Sequence, residues 1–288
     1  MKAKVFLVKS FGVDESGGNP AGVVLDAGGL TDEQKQLIAA KVGFSETAFV
    51  EASDKANFKV RFFTQTAEVD LCGHATVATF SLLFRKGLLK AGPYTQELKA
   101  GMLGIQVEEN GFVLMEQAPP QFLDTIEPGE IRACINLELL FDDLKPQIVS
   151  TGLPDILLPV PTLEQLYALR VDPVTLSQLN EKTHSIGLHA FTLETAEPGS
   201  IAQARNFAPL FGIDEESATG SSSGALACYL FKYGKLKGRS LENMRFEQGY
   251  SMNQPSEIFV TLVVENENVK KVHVGGTAQL SGEVDIEV

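Results

Sequence analysis

A short motif that opens one apolar segment recurs at the opening of a second, 147 residues later. Residues 73–76 read Gly-His-Ala-Thr, and residues 220–223 read Gly-Ser-Ser-Ser. At matched spacing the first segment ends in Leu-Phe-Arg-Lys-Gly at 83–87 and the second in Leu-Phe-Lys-Tyr-Gly at 230–234. Small residues at the start, then a basic residue and a glycine at the end, are typical of a helix. The sequence therefore predicts two copies of one unit, each with an apolar helix whose first-turn amides can hold an anion.

The length and net charge of the chain restrict the number of domains it can form and the partners it can bind. Its 288 residues are enough for two domains of roughly 100 to 150 residues each. The formal net charge of −13 repels phosphate backbones, and no stretch rich in lysine and arginine offsets it, so we expect no nucleic-acid partner. The apolar stretch near the N-terminus is too short for a signal peptide, and no segment approaches the roughly 18 continuous apolar residues of a membrane span. We therefore expect a cytoplasmic protein without a membrane partner.

The cysteines and glycines give no sign of a metal or cofactor. An odd number of cysteines, Cys72, Cys134 and Cys228, argues against a disulfide framework. The four histidines are not spaced with them as zinc ligands usually are, so we expect no metal. The glycine-rich runs at 18–20 and 220–224 lack the dinucleotide-binding helix entry and the P-loop lysine, respectively. These patterns therefore favour neither a metal nor a nucleotide cofactor.

Hydrophobic periodicity and capping signals predict a similar order of strands and helices in both copies. In the first copy, Thr31 and Gln34 form a capping box at the start of a helix. In the second, Thr162 caps a helix that Asp-Pro at 172–173 breaks. The strands predicted in the two copies include 44–50 and 58–63, and 147–150, 156–160, 185–188, 190–193 and 204–208. The two helices that begin at Gly73 and Gly220 are apolar nearly all round. We therefore expect each of them to be enclosed by a sheet.

The run Ala-Pro-Pro at 118–120 is the predicted crossing between the two halves. The tail from residue 282 onwards is expected to cross back to the first half. The predicted halves, with the candidate site residues that each carries, are 1–118 plus 276–288 with Glu46 and His74, and 119–275 with Glu216 and Ser221.

Six motifs in order resemble the PhzF-like (phenazine biosynthesis) isomerase family over nearly the whole chain. They are Gly-Asn-Pro-Ala at 18–21, Phe-Ser-Glu-Thr at 44–47, Cys-Gly-His-Ala-Thr at 72–76, Ala-Thr-Gly-Ser at 218–221, Gln-Gly at 248–249 and Val-Gly-Gly at 274–276. The resemblance implies the α+β fold of diaminopimelate epimerase: two similar halves, each a mostly antiparallel sheet curled around a central helix, with the active site in the cleft between them. It also implies a homodimer.

The resemblance assigns roles to individual residues. Glu46 matches the carboxylate that shuttles a proton, and His74 matches the histidine that orients the substrate. Glu216 occupies the place of a family aspartate, so its reach is one methylene longer. The positions that the resemblance implies for binding the substrate carboxylate and its surroundings are Asn19, Gly73, Gly220 and Ser221. A second departure is Gln254, which stands where the family often has arginine.

The chemistry also follows from the residues themselves. Glu46 lies in an otherwise uncharged stretch, 42–50, where loss of water should favour the protonated carboxyl and raise its pKa towards that of a useful acid and base. The alternative is a surface glutamate at a turn between helix and strand. His74 is predicted at a helix N-terminus, where the dipole favours the neutral imidazole; the alternative is an ordinary first-turn residue. Glu216 could equally stabilise its helix through the dipole.

Two other functions remain open beside that of a proton-moving isomerase of a small unsaturated or cyclic carboxylic acid. Amino-acid racemases on this fold use two opposed thiols, one before each entrance glycine. Here those slots hold Cys72 and Thr219, and a threonine hydroxyl is too weak an acid for that work. Cys72 is therefore interpreted as a packing residue. The other possibility is a non-catalytic protein that binds a small carboxylate.

Overall fold

The computed structural model describes residues 2–138 and 143–288. The chain divides into two compact units: Met1–Glu116 together with Gly275–Val288, and Gln117–Val274. Among the helices of the described ranges, none combines the length and apolar character needed to cross a membrane. Elements are numbered along the chain, and the last strand belongs to the first unit.

The first unit packs a mixed sheet against one buried helix. Its strands are β1 (Lys2–Ser10), β2 (Asn19–Val24), β3 (Glu46–Glu51), β4 (Phe58–Phe63), β5 (Glu68–Val69), β6 (Gly92–Leu98), β7 (Gly101–Val107), β8 (Val113–Gln117) and β18 (Ala278–Glu287), and its helices are α1 (Asp32–Val42) and α2 (Gly73–Arg85). Residues 74–83 of α2 are all buried, and the helix contacts β1, β2, β3, β7 and β18. A largely apolar helix that is buried on all sides thus forms the centre of this unit.

The second unit repeats this plan with more helices. Its strands are β9 (Gln121–Thr125), β10 (Gln147–Ser150), β11 (Pro154–Pro159), β12 (Gly187–Thr192), β13 (Ala202–Ala208), β14 (Ile213–Glu216), β15 (Met244–Gln248), β16 (Ser256–Glu265) and β17 (Asn268–Gly276), and its helices are α3 (Pro128–Cys134), α4 (Leu163–Ala168), α5 (Pro173–Thr183) and α6 (Gly220–Lys232). The centre is α6, which contacts β10, β11 and β16. Short 3-10 turns at Pro209–Phe211 and Tyr250–Met252 complete it.

The two units share one pattern of strand pairing. In the first, β2–β3 is parallel, β3–β4 and β4–β5 are antiparallel, β4–β6 is parallel and β6–β7 is antiparallel. In the second, the series β11–β12, β12–β13, β13–β14, β13–β15 and β15–β16 has the same directions. The α+β prediction of two similar halves, each mostly antiparallel around a central helix, is confirmed. The C-terminal tail forms β18, which pairs antiparallel with β1 in the first unit.

Local signals set several element ends. The capping box predicted at the start of α1 is present in both directions, since Gln34 N donates to Thr31 Oγ1 and Thr31 N donates to Gln34 Oε1. Gly43, at φ 76°, ends that helix in the left-handed conformation. These interactions join residues only three or four apart, so they do not depend on the rest of the fold.

Two expectations for the second unit are wrong. The predicted strands 185–188 and 190–193 are one strand, β12, whose residues are all buried and therefore show no alternation. The Asp-Pro pair at 172–173 does not only break a helix. Asp172 caps α5 by accepting a hydrogen bond from Thr175 N at 2.7 Å, and Pro173 takes the first helical position, where no donor is needed.

Candidate active site

Parallel pairing of β2 with β3 brings Glu46 to the start of α2. Glu46 is the first residue of β3 and lies opposite Ala21, while α2 begins at Gly73. His74 Nε2 lies 3.3 Å from Glu46 Oε2, and the two side chains are only 6% and 12% exposed. The structure therefore brings together the two residues predicted to move the proton and to orient the substrate. It also rules out the surface position that was the alternative for Glu46.

Polar groups contact both ring nitrogens of His74. Asn19 Nδ2 lies 3.3 Å from His74 Nδ1, and Ser45 Oγ lies 3.5 Å from His74 Nε2. The backbone is held as well, because Ser10 Oγ donates to His74 O at 2.8 Å. Asn19, which the sequence assigned to substrate binding, is buried and contacts the histidine. Ser10 and Ser45 were not singled out by the sequence, although Ser45 lies in the same motif as Glu46.

Cys72 also contacts this histidine. It is the residue before α2, it is buried, and its Sγ lies 3.5 Å from His74 Nδ1 and 3.9 Å from Nε2. Its side chain also hydrogen bonds to the Glu46 carboxyl group. The sequence-based interpretation as a packing residue is therefore incomplete, because the thiol lies against both members of the Glu46–His74 pair.

Burial controls the acidity of Glu46. Loss of water raises the pKa of its carboxyl group above the usual glutamate range, and hydrogen bonds from Ser45 and Cys72 partly oppose that rise. Its Oε2 atom is buried, and no hydrogen-bond partner for it is found among the described residues. A carboxyl group whose pKa is raised in this way accepts a proton more readily than an ordinary glutamate, as a group that acts as both base and acid must.

The entrance to α6, that is, its N-terminus and the residues just before it, has different hydrogen bonds from the entrance to α2. Glu216, at the end of β14, accepts a hydrogen bond from Thr219 Oγ1 at 2.7 Å. The buried Gln248 joins the same segment: its Nε2 donates to Glu216 O, and its Oε1 accepts from Thr219 N. Gln248 was noticed only as part of a motif, and its position beneath the entrance explains why a glutamine is useful there.

The two binding candidates of this unit lie in the first turn of α6. Gly220 is the first residue of the helix and Ser221 the second, where backbone N–H groups have no acceptor within the helix. Ser221 is half-buried, and its carbonyl accepts from Thr151 Oγ1 at 3.1 Å. Gly73 occupies the equivalent first position of α2. Each helix start therefore offers a local site suited to an anion.

A buried polar network behind the entrance to α6 was missed by the sequence analysis. Ser222 Oγ donates to Asp155 Oδ2 and accepts from Asn206 Nδ2, which also lies 3.2 Å from His189 Nδ1. Burial raises the pKa of Asp155 to about 6 and lowers that of His189 to about 3. Asp155 and His189 each stand alone in an apolar strand, which is the same signal that drew attention to Glu46.

The common register shows that the copies place their acids differently. Position Ala21–Glu46 of the β2–β3 pair corresponds to Asp155–Gly187 of β11–β12. Glu216 pairs with Asn206 at the position that Val69 holds opposite Phe62. None of the three buried or half-buried acids is therefore repeated in the other copy.

Two duplicated α+β units, each a mixed sheet around a buried helix, define a protein of the diaminopimelate-epimerase-like class. The chain belongs to the phenazine biosynthesis-like (PhzC-PhzF) family, whose model matches residues 8–283. The resemblance carried by the six motifs is thereby confirmed.

Relatives of known sequence and structure agree with this membership. The uncharacterized isomerase YfhB of Bacillus subtilis (strain 168) is 32% identical over 290 residues, covering 97% of each chain. The crystal structure of the Bacillus anthracis phenazine biosynthesis protein of the PhzF family superposes with a TM-score of 0.91 at 35% identity, over 100% of both chains. The trans-2,3-dihydro-3-hydroxyanthranilate isomerase of Pseudomonas fluorescens is 27% identical and covers 92% of each. The protein is an isomerase of this family.

Proposed function

We propose that this isomerase moves a proton between two carbons of a small unsaturated or cyclic carboxylic acid, with Glu46 as the single acid and base. The observation that carries the proposal is the buried Glu46 carboxyl group, with its raised pKa, against the ring of His74. A group that must first accept a proton and then return it needs a pKa near the working pH, and desolvation shifts the pKa of Glu46 in that direction.

The reaction balances without an oxidant or reductant. Glu46 takes the proton as one C–H bond breaks, and the electron pair moves into the conjugated system that ends at the substrate carboxylate. The same proton, or one exchanged with solvent, then forms a C–H bond at the second carbon and regenerates the carboxylate of Glu46. His74 hydrogen bonds to the substrate and holds it against Glu46.

Helix N-termini suit the negative charge of such a substrate. We propose that first-turn amides at Gly73 and Gly220, with the Ser221 hydroxyl, bind and polarise the substrate carboxylate. Glu216 orients the substrate by contacting a polar group of the substrate other than the substrate's carboxylate. The carboxylate of Glu216 and that of the substrate would repel each other. Asn19 acts through His74, whose ring it contacts.

Hydrogen exchange with solvent tests the proposal directly. The protein is incubated in D₂O with trans-2,3-dihydro-3-hydroxyanthranilate, chosen because the Pseudomonas relative is named for it, and with other small cyclic and unsaturated acids. Deuterium should enter carbon positions of at least one acid. Glu46→Gln should abolish incorporation while the same acid still raises the melting temperature by binding the folded state.

A matched control separates catalysis from general charge effects. Glu33→Gln removes an exposed carboxylate from α1 in the same unit and should leave exchange unchanged. Unchanged exchange in Glu46→Gln would refute the assignment. Stabilisation by these carboxylates without exchange in the wild type would also overturn the proposed proton transfer, because it would show binding alone.

A further inference from the structure

Three different metal-binding side chains converge beside the entrance to α2. One carboxylate oxygen of Glu46, the sulfur of Cys72 and a ring nitrogen of His74 all lie within 4.8 Å of one another. Neither their order nor their spacing in the sequence resembles a zinc motif, because Glu46 comes from β3 and the other two from the start of α2. The sequence therefore gave no reason to expect a metal here.

The distances match the edges of a tetrahedral zinc site. Zinc bonds of about 2.3 Å to sulfur and about 2.0 to 2.2 Å to nitrogen and oxygen place sulfur and nitrogen about 3.6 Å apart, and nitrogen and oxygen about 3.4 Å apart. His74 Nε2 lies 3.9 Å from Cys72 Sγ and 3.3 Å from Glu46 Oε2. Shifts of a few tenths of an ångström would bring these two pairs of donor atoms to those separations, and the sulfur and the carboxylate oxygen lie within 4.8 Å of each other.

A second observation concerns the oxygen itself. Glu46 Oε2 is buried, and within the described part of the chain it has no hydrogen-bond partner. A buried carboxylate oxygen in that condition is costly, and a cation beside it would satisfy it. The oxygen is also the atom that lies against His74 Nε2.

The surroundings suit a histidine ligand. Asn19 lies 3.3 Å from the other ring nitrogen, Nδ1. Rotation of its amide by 180° presents the carbonyl oxygen to Nδ1–H, which leaves the lone pair of Nε2 for a metal. Metal-binding histidines commonly have an oxygen acceptor at the second ring nitrogen.

We propose that Glu46, Cys72 and His74 form a binding site for a zinc-like divalent cation, and that the bound cation inhibits the enzyme. The thiolate selects a borderline-soft metal such as Zn²⁺ or Co²⁺ over Mg²⁺. The inhibitory part rests on the proposed function, because the metal would occupy the carboxylate and imidazole that move the proton. The ligand set does not depend on it.

Cobalt provides a direct reading of the site. Protein stripped with EDTA is titrated with Co²⁺ and its absorption recorded, since cobalt bound to a thiolate gives a near-ultraviolet charge-transfer band. We expect this band to saturate at one Co²⁺ per chain, to vanish on addition of Zn²⁺, and to be absent with Mg²⁺. Absence of the band in the wild type overturns the proposal.

Variants identify the ligands. Cys72→Ala should remove the band. Cys134→Ala is the matched control, because it removes another buried cysteine, whose thiol pKa is raised by burial to about 11. It should leave the cobalt band and the exchange activity unchanged. His74→Gln should weaken Co²⁺ binding at least tenfold, which tests the site even where Cys72→Ala does not fold. A band that survives in Cys72→Ala, or unchanged affinity in His74→Gln, contradicts the assignment.

The two proposals fail in different ways. Zn²⁺ should inhibit deuterium exchange, and a chelator should restore it. A cobalt band in a protein that exchanges no acid would overturn the proposed function and leave the metal site standing. Loss of exchange in Glu46→Gln without any cobalt band would do the reverse.

Discussion

His74 Nε2 lies 3.3 Å from the buried Oε2 of Glu46, at the junction of β3 and the first turn of α2. The carboxyl group is shielded from water, which raises its pKa, and hydrogen bonds from Ser45 and Cys72 oppose the rise. The strength of Glu46 as a base therefore depends on a few neighbours that can be changed one at a time.

The first prediction concerns the pH dependence of the reaction. A base must be ionised, so the acid limb of kcat/KM should lie above the usual glutamate range of about 4.3. Ser45→Ala removes a hydrogen bond that favours the charged carboxylate, so the limb should move to still higher pH. Ser281→Ala, which removes an exposed hydroxyl of the same unit, should not move it. A limb that moves to lower pH in Ser45→Ala contradicts this account of Glu46.

The second prediction concerns the network beneath the entrance to α6. Gln248→Leu removes three part-buried hydrogen bonds, to Glu216 O, Thr219 N and Thr219 Oγ1. The free energy of unfolding should fall by about 2 to 4 kcal/mol, measured by urea denaturation. Gln65→Leu loses one exposed bond to Gly43 O and should cost no more than about 0.5 kcal/mol. Equal effects would show that Gln248 does not hold this segment.

The third prediction concerns the buried acid of the second unit. The pKa of Asp155 is raised to about 6 in the folded protein, against about 3.9 in the unfolded chain. The folded state therefore binds more protons between pH 4 and 6, and this group's contribution to stability falls as the pH rises through that range. The resulting penalty above pH 6 is about 3 kcal/mol.

Asp155→Asn should remove that penalty. The difference in unfolding free energy between variant and wild type should shift in favour of the variant by about 2 kcal/mol between pH 4 and 6.5. His189 acts in the opposite sense, because its pKa of about 3 lies below the unfolded value of about 6.5, so its contribution is lost as the pH falls below 6.5. In the wild type, Asp155 and His189 change the unfolding free energy with pH in opposite directions. In Asp155→Asn only the pH dependence that comes from His189 should remain. Exposed Asp54→Asn is the control, and a difference that stays flat for Asp155→Asn would exclude a buried, protonated Asp155.

The fourth prediction concerns Gly249, the glycine of the Gln-Gly motif, where both the backbone angle and the surrounding atoms exclude a side chain. Gly249 has φ 80°, and a Cβ there would lie 2.2 Å from Gln254 O. Gly249→Ala should destabilise the protein by about 2 kcal/mol or more. Gly212→Ala, at φ 75° with open space around it, isolates the backbone strain and should cost about 1 kcal/mol. Gly28→Ala has neither constraint and should be nearly neutral in thermal denaturation. Equal melting temperatures for the three variants would contradict the close approach to Gln254.

The elements that the sequence predicted well are those with local causes. The capping box of Thr31 and Gln34 and the start of α2 at Gly73 involve residues close together in the chain. β6 was missed because its residues, Gly92–Leu98, show no clear apolar alternation, and its antiparallel pairing with β7 along its whole length is what makes it a strand. The start of α5 was read as a break because Asp-Pro both ends and begins helices.

The sequence by itself determined the duplication, the two helix entrances, the family and the candidate pair Glu46 and His74, since repeats, capping signals and motifs are written in consecutive residues. Only the tertiary structure decided that Cys72 touches that pair and that Asp155 lies beneath the second entrance. It also decided that Glu46 is buried deeply enough for loss of water to raise the pKa of its carboxyl group. Those features arise where strands far apart in the chain pair and exclude water, and the free energies involved depend on neighbours that no local pattern identifies.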